Sequence, residues 1–292
     1  MLTKKDTITF ENIILKLQKY WQSKGCVLMQ PYDMEVGAGT FHPATLLKSI
    51  DNKPWNCAYI QNCRRPTDGR YAENPNRLQQ YYQYQVLLKP SPDNMQELYL
   101  KSLEHLGIDL ENNDIRFVED DWESPTLGAW GLGWEIWCNG MEITQFTYFQ
   151  QVGGLDCYPI SGEITYGLER LAMLIQKKSN IFEIEWNNLG KTYKDISFEN
   201  EKEQSFYNFD YANVNNLINE FNFVEEDASF LLNKRLVYPA YEKCIRASHI
   251  FNILDARGIL SVSERANYIK KVRDISKACC NLYKISREEM NA

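Results

Sequence analysis

The run SGEITYGLERLAMLIQ, residues 161–176, limits what this chain can fold into more than any other stretch. It opens with small and β-branched residues, passes Gly167, and then spaces Leu168, Leu171, Ala172 and Ile175 along one helical face. This change of period predicts a strand, a tight turn and a helix. Glu169 and Arg170 fall in the first helical turn, where the apolar face fixes the backbone and leaves the arginine free to project. A rigidly mounted guanidinium suits a nucleotide, because it pairs with phosphate oxygens and stacks flat on a purine. On its own, GLER reads more simply as the start of an ordinary amphipathic helix with a solvated Glu-Arg pair.

The 292 residues, 44% of them hydrophobic, can bury a substantial core and suit one large domain with a smaller one. The N-terminal MLTKKDTITFENIILKLQKY breaks its apolar residues with charges, so no signal-peptide core forms, and no apolar run reaches membrane-spanning length. A cytoplasmic protein is expected. Eight cysteines without a CxxC pair, and three histidines far apart, favour reduced, mostly buried thiols over disulfides or zinc. A net charge of -7 argues against a surface wholly devoted to nucleic acid, while leaving room for a local basic patch.

Phe10, Ile13, Ile14, Leu17 and Trp21 predict a first helix with Thr9 as its N-cap. The loop QPYDMEVGAGTFHPATLLKSI follows, and its Gly37 and Gly39 lack the strand and the spacing of a phosphate-binding glycine motif. NCAYIQNCRR and YYQYQVLLKP then read as two strands around the polar PTDGRYAENPNR, an antiparallel hairpin with an oversized, arginine-bearing tip. Alternation puts Tyr82, Tyr84, Val86 and Leu88 on one face of the second strand, and Tyr81, Gln83, Gln85 and Leu87 on the other. The second face is the more polar, as a ligand-facing surface should be.

A helix is predicted from Met95 to Leu106, ended by Gly107, then a strand over DIRFVEDDW. A segment rich in tryptophan and glycine leads to a strand from Glu142 to Gln151. Without a bulge, Glu142, Thr144, Phe146, Tyr148 and Gln150 share one face of it, and Gln145 and Thr147 the other. The domain division expected is 1–180, a polar linker over 181–212, and a helical unit over 213–292, whose clearest helices, Tyr238 to Asp255 and Ser261 to Tyr283, flank Gly258. Lys270, Arg273 and Lys277 line one face of the last helix, most simply as a solvated stripe.

Arg64 and Arg65 at the base of the hairpin, Arg77 at its far end four residues before Tyr81, and Arg170 after the strand-turn together supply what ATP needs. Glu135 and Glu142 offer oxygen ligands for Mg²⁺. Neither a P-loop nor a Rossmann fingerprint is present. The Arg-x-x-x-aromatic hairpin resembles motif 2 of the class II aminoacyl-tRNA synthetases, and TYGLERL resembles their motif 3, in the same order. Through NCRRPTDGRYAENPNRLQQYYQYQ and WEIWCNGMEITQFTYFQQVGG the resemblance narrows to the α-subunit family of the bacterial, two-subunit glycyl-tRNA synthetases, along essentially the whole chain.

That resemblance implies an α+β fold: an antiparallel sheet of six or more strands flanked by helices, followed by a helical C-terminal domain. It implies activation of glycine with ATP and Mg²⁺ to glycyl-adenylate, then transfer to tRNA(Gly) with a β subunit in an α2β2 tetramer. The α–α homodimer core would form through residues 34–50. Arg64 or Arg65 would hold the α-phosphate and the amino-acid carboxylate; spacing does not choose between them, and the pattern of the related alanyl enzyme favours Arg65. Arg77 would meet the γ-phosphate, Tyr81 would lie near the adenine, and Arg170 would stack over it. Pro66-Thr67 stands where motif 2 usually carries a glutamate, so Gln83 or Gln85 is a substitute partner for the adenine amino group. Glu163, aligned with an aspartate of the alanyl enzyme, would bind the glycine ammonium, braced by Ser161 and Thr165, with Glu142 and Gln150 as the next candidates. Two other functions fit the same motifs: a tRNA-independent ligase that forms an acyl-adenylate, and a non-catalytic regulatory paralogue. The retained arginines disfavour the paralogue, and dependence of product formation on tRNA separates the two enzymes.

Overall fold

The computed structural model describes residues 8–291. Residues 1–7, the start of the stretch that lacks a signal-peptide pattern, lie outside the described residues. Among the described residues, no helix is long and apolar enough to cross a membrane.

Helix α1 (Phe10–Ser23) starts where predicted: the Thr9 side chain accepts the Asn12 amide at 3.3 Å, and Phe10, Ile13, Leu17 and Trp21 are buried. Strand β1 (Val27–Leu28) and a loop lead to the short α2 (Leu46–Ser49). Strands β2 (Trp55–Arg64) and β3 (Gln80–Lys89) pair antiparallel, with Cys57 opposite Leu87 and Cys63 opposite Tyr81. Helix α3 (Met95–Leu106) closes on Gly107, whose φ of +91° lies in the left-handed region that glycine adopts without strain. The acidic segment after it splits into β4 (Ile115–Glu119) and β5 (Trp122–Ser124).

Strand β6 (Ala129–Cys138) lies in the tryptophan- and glycine-rich segment, to which periodicity assigns no element. Its glycines are steric requirements: a Cβ on Gly133 would stand 2.0 Å from the Phe146 carbonyl oxygen, a contact neither backbone can relieve. Strands β7 (Met141–Val152), β8 (Leu155–Asp156) and β9 (Gly162–Gly167) follow, and β9 turns directly into α4 (Leu168–Gln176). The described strands form one sheet in the order β1-β2-β3-β9-β7-β6-β4, with β5 on β6 and β8 on β7. Every pairing is antiparallel except the short parallel contact of β1 with β2.

Residues 181–212, expected as a linker, instead contain a 3₁₀ turn at Ile181–Glu183, the helix α5 (Tyr193–Phe206) and a π turn at Tyr207–Tyr211. Composition hides this because α5 buries Tyr193, Glu201 and Ser205 rather than an apolar stripe. Helices α6 (Val214–Asn233), α7 (Val237–Ala256) and α8 (Val262–Asn291) complete the fold, with Gly258 between the last two. On α8, Lys270 pairs with Asp274 at 2.9 Å and Arg273 donates to the Pro125 carbonyl at 2.6 Å.

The sheet separates two cores. Tyr84, Val86, Phe146, Ile164 and Tyr166 face α1, α3 and α4, burying Met95, Tyr99, Leu103, Leu168 and Leu171 against them. On the opposite face, Cys57, Tyr59, Leu87 and Phe149 are continuous with Tyr241, Phe251, Cys279 and Tyr283 of α7 and α8. Each fully buried large side chain contributes about 1.5–3 kcal/mol, which roots both sets of helices on the sheet. All eight cysteines are free and buried.

Candidate active site

The second face turns polar toward its middle, because five strands present hydrogen-bonding side chains in register. Tyr59 lies opposite Gln85, Gln85 opposite Thr165, Thr165 opposite Gln145 and Gln145 opposite Glu135. The next row runs from Leu87 through Glu163 and Thr147 to Gly133. Simple alternation along β7 fails at both ends. Ile136 pairs with Thr144 but Trp137 pairs with Glu142, so Ile143 is an extra residue and Glu142 turns to the face of Gln145 and Thr147. At the other end Gln150 is the extra residue, between Phe149 opposite Gly131 and Gln151 opposite Trp130. Its Nε2 donates to the Tyr148 carbonyl at 3.1 Å, and no bond joins it to Glu163 among the described residues.

Glu163 is 2% exposed, and the loop that carries Thr40 closes over it. Thr40 Oγ1 donates to Glu163 Oε1 at 2.7 Å, and Gln85 Nε2 donates to the same oxygen. Thr165 Oγ1 donates to Gln85 Oε1 at 2.9 Å, so it braces Glu163 through Gln85 rather than directly. Ser161, expected as the other brace, keeps a buried hydroxyl with no partner among the described residues, and so does Thr147, which stands opposite Glu163. Burial pushes the Glu163 carboxyl up to about 8, against the hydrogen bonds from Thr40 and Gln85, which act to lower it. Both donors meet Oε1. Oε2 has no hydrogen bond among the described residues.

The covering loop is fixed by the sheet and by α7. The Gly39 amide donates to Gln83 Oε1 at 2.7 Å, Tyr59 Oη donates to the Gly39 carbonyl at 2.9 Å, and Tyr241 Oη donates to the Phe41 carbonyl at 2.7 Å. Gly39 is needed for this approach, since a Cβ there would lie 2.6 Å from Gln85 Oε1. Gln83 and Gln85 are thus engaged at the Glu163 end, with both ends of the Gln85 amide occupied. Within the expected dimer segment, none of residues 34–50 is exposed, and Thr40 to Leu47 are buried within their own chain.

The arginines rim this floor. Arg65 stacks its guanidinium 4.7 Å from the Tyr81 ring centre and donates through Nε to the Gly37 carbonyl at 3.2 Å, where Tyr81 Oη also donates at 3.1 Å. Arg64, opposite Gln80 in the ladder, belongs to the other face, with Tyr82. Arg77 meets Asp68 at 2.7 Å, and Arg170 Nη1 meets Glu142 Oε2 at 2.5 Å and the Glu142 carbonyl at 3.1 Å. About half of each side chain is exposed, 55% for Arg77 and 50% for Arg170. The Glu-Arg pair opening α4 is split: Glu169 is buried, accepting the Tyr82 amide at 2.8 Å and Tyr193 Oη at 2.9 Å, and burial raises its carboxyl to about 7.

The sequence model of the glycyl-tRNA synthetase alpha subunit family matches residues 10–288. The chain belongs to that family. Two solved structures of pyrrolysyl-tRNA synthetase from Desulfitobacterium hafniense are also similar, each at 14% identity. One has a TM-score of 0.45 over 64% of this chain and 73% of its own, the other 0.42 over 62% and 75%.

For this family member, Mg²⁺ is a matter of carboxylate placement. Among the described residues no three His, Cys, Asp or Glu side chains form a cage. Mg²⁺ beside a nucleotide usually takes only one or two carboxylates together with phosphate oxygens and water. The bulge at Ile143 brings Glu142 to the face of Glu135, so the pair fits that pattern. Glu142 is held by Arg170, and Glu135 accepts Trp137 Nε1 at 3.0 Å. Sequence reasoning missed Thr40 and Tyr59, and weighed Gly39 only as part of a phosphate-binding turn. The one signal for Gly39 and Thr40 is a Gly-x-Gly-Thr cluster in a loop too long to be a plain connection; Tyr59, inside strand β2, has none.

Proposed function

We propose that this chain activates glycine with ATP to glycyl-adenylate and, with a β subunit, transfers the glycyl group to tRNA(Gly). The observation that carries the proposal is Glu163, a buried carboxylate with one oxygen saturated by Thr40 and Gln85, on a face rimmed by Arg65, Arg77 and Arg170. A ligand matching this floor has an ammonium for the Glu163 end and anionic groups for the arginines. Thr40, on a turn that Tyr59 and Gln83 pin, is held directly against the carboxylate, where a substrate without a side chain would meet the least obstruction.

Arg65, oriented by Tyr81 and Gly37, would hold the α-phosphate and the glycine carboxylate together. Arg77 would exchange Asp68 for the γ-phosphate, and Arg170 would lie against the adenine. Exposed ion pairs contribute about 0–1 kcal/mol, so both arginines are released to a nucleotide at little cost. Glu142 and Glu135 would hold Mg²⁺, which would neutralise phosphate charge. A glycine carboxylate oxygen then attacks the α-phosphorus, the bond to the bridging oxygen breaks, and pyrophosphate leaves. In the second step a hydroxyl of the terminal tRNA ribose attacks the glycyl carbonyl carbon, and AMP leaves. No side chain serves as nucleophile; the protein supplies position and cationic stabilisation.

The acidic chain carries no evident nucleic-acid module, and phosphate contacts supply much of the affinity for tRNA, so the β subunit would provide most of them in an α2β2 assembly. The test is glycine-dependent exchange of pyrophosphate into ATP, followed by tRNA charging with and without the partner. Exchange confined to glycine, with charging only in the complex, is expected. Absence of exchange even with the partner present overturns the proposal.

A further inference from the structure

Strand β3 begins its ladder with β9 only at Gln83, opposite Gly167. The amides just before that point are bonded instead to buried side chains. Those of Gln79 and Gln80 donate to the two carboxylate oxygens of Glu201 on α5, at 2.6 and 3.4 Å, and that of Tyr82 donates to Glu169 at 2.8 Å. Tyr193, also on α5, donates to the same Glu169 oxygen. Farther along, Ser205 Oγ accepts the Tyr71 amide at 3.1 Å, and Asp210 in the π turn accepts Tyr71 Oη at 3.1 Å. Gly69 approaches so closely that a Cβ would lie 2.8 Å from Ser205 Oγ. One helix and its π turn therefore grip the arginine-bearing loop at both ends.

Glu201 has 2% exposure, and burying a carboxylate is unfavourable unless its oxygens are hydrogen-bonded. A helix held only by packing would need apolar residues here. α5 instead commits a charge to two consecutive backbone amides between Arg77 and Tyr81, which fixes the path of the strand from one to the other. We infer that α5 is a positioning element for the nucleotide: Glu201, acting through the Gln79 and Gln80 amides, sets where Arg77 and Tyr81 stand. This rests on the assignment of those two residues to ATP. Glu201 touches no substrate.

The test uses the full chain with its partner subunit and the variants Glu201→Gln, Glu201→Ala and Ser205→Ala. Glutamine keeps one acceptor oxygen, so it should leave one amide bonded and fall between the wild type and alanine. Amide hydrogen exchange across residues 76–82 is expected to quicken about tenfold in Glu201→Gln, with β7 and β9 unchanged. In pyrophosphate exchange, KM for ATP should rise about tenfold, and KM for glycine should stay within about twofold, because displacement of a positioning strand acts on the substrate it positions. Ser205→Ala, which removes the Tyr71 acceptor together with the hydroxyl's bond to the Glu201 carbonyl within α5, should raise KM for ATP about threefold at an unchanged melting temperature; it carries the test if the Glu201 variants do not fold. Equal changes in both KM values, or faster amide exchange with a wild-type KM for ATP, overturn the positioning role. A wild-type KM for ATP in Arg77→Ala overturns the nucleotide assignment and this inference with it, whatever the amides of Glu201→Gln do.

Discussion

Replacing Glu163 by glutamine separates a binding carboxylate from a structural one. In the empty site, burial raises the carboxyl from 4.5 to about 8. The folded chain therefore holds a proton that the unfolded chain has released, and stability falls as pH rises through that window at about 1.4 kcal/mol per pH unit. Over the whole window the cost of ionising Glu163 is on the order of 5 kcal/mol. Glutamine keeps the volume and the acceptor for Thr40 and cannot ionise. Glu163→Gln should thus match the wild type in chemical denaturation near pH 5 and exceed it at pH 8. Its activity should move the other way. Removing one partner of a buried ion pair costs about 3–5 kcal/mol, so glycine-dependent pyrophosphate exchange should fall by at least about a hundredfold. A stable, inactive variant is the expected outcome. Near-normal exchange would refute the ammonium assignment, and a loss of stability at pH 8 would show that the folded protein needs the ionised carboxylate for itself.

The same proton makes glycine binding depend on pH: KM for glycine should fall about tenfold per pH unit below neutrality, since only the ionised fraction of Glu163 is competent. It should level off above about 8, and a flat profile contradicts the coupling. Arg170→Ala should leave the melting temperature nearly unchanged, because the arginine side chain is half exposed, while exchange falls by about a hundredfold or more. A variant that unfolds would mark the pair as structural. Gly39→Ala places a Cβ 2.6 Å from Gln85 Oε1. It should raise KM for glycine by about tenfold with KM for ATP unchanged, and an equal effect on both would mean that the loop carries the whole site.

Period and punctuation carry the legible part of the sequence. The hairpin of β2 and β3 and its faces, the change of period at Gly167, the cap at Thr9 and the stop at Gly107 each rest on residues acting within a few positions of themselves. The hidden part depends on partners far along the chain. β6 cannot be seen in its own letters, because Gly131 and Gly133 are dictated by the closeness of β7. The face of Glu142 reverses on a single extra residue, Ile143, and a bulge leaves no mark in the alternation until its opposite strand is known. The polar stretch over α5 looks like a linker because its buried groups serve the backbone of another loop rather than an apolar core.

These hidden elements have a common physical origin. A floor that must offer carboxylates and amides to a charged ligand cannot be held together by an apolar stripe at its own position. Its polar groups are held by hydrogen bonds from elsewhere: Thr40 and Gln85 on Glu163, Glu201 on the Gln79 and Gln80 amides, and Tyr59 and Tyr241 on the covering loop. Such bonds place no demand on residue spacing, so the motif supplies the arginines proposed for the nucleotide and says nothing of the groups that hold the floor around them. The folded chain keeps Arg77 and Arg170 on carboxylates near its surface and Glu163 under the loop, in each case short of full satisfaction. On the proposed function, glycine and ATP would complete those contacts together, which would tie recognition of the amino acid to the fold of the loop that carries Thr40.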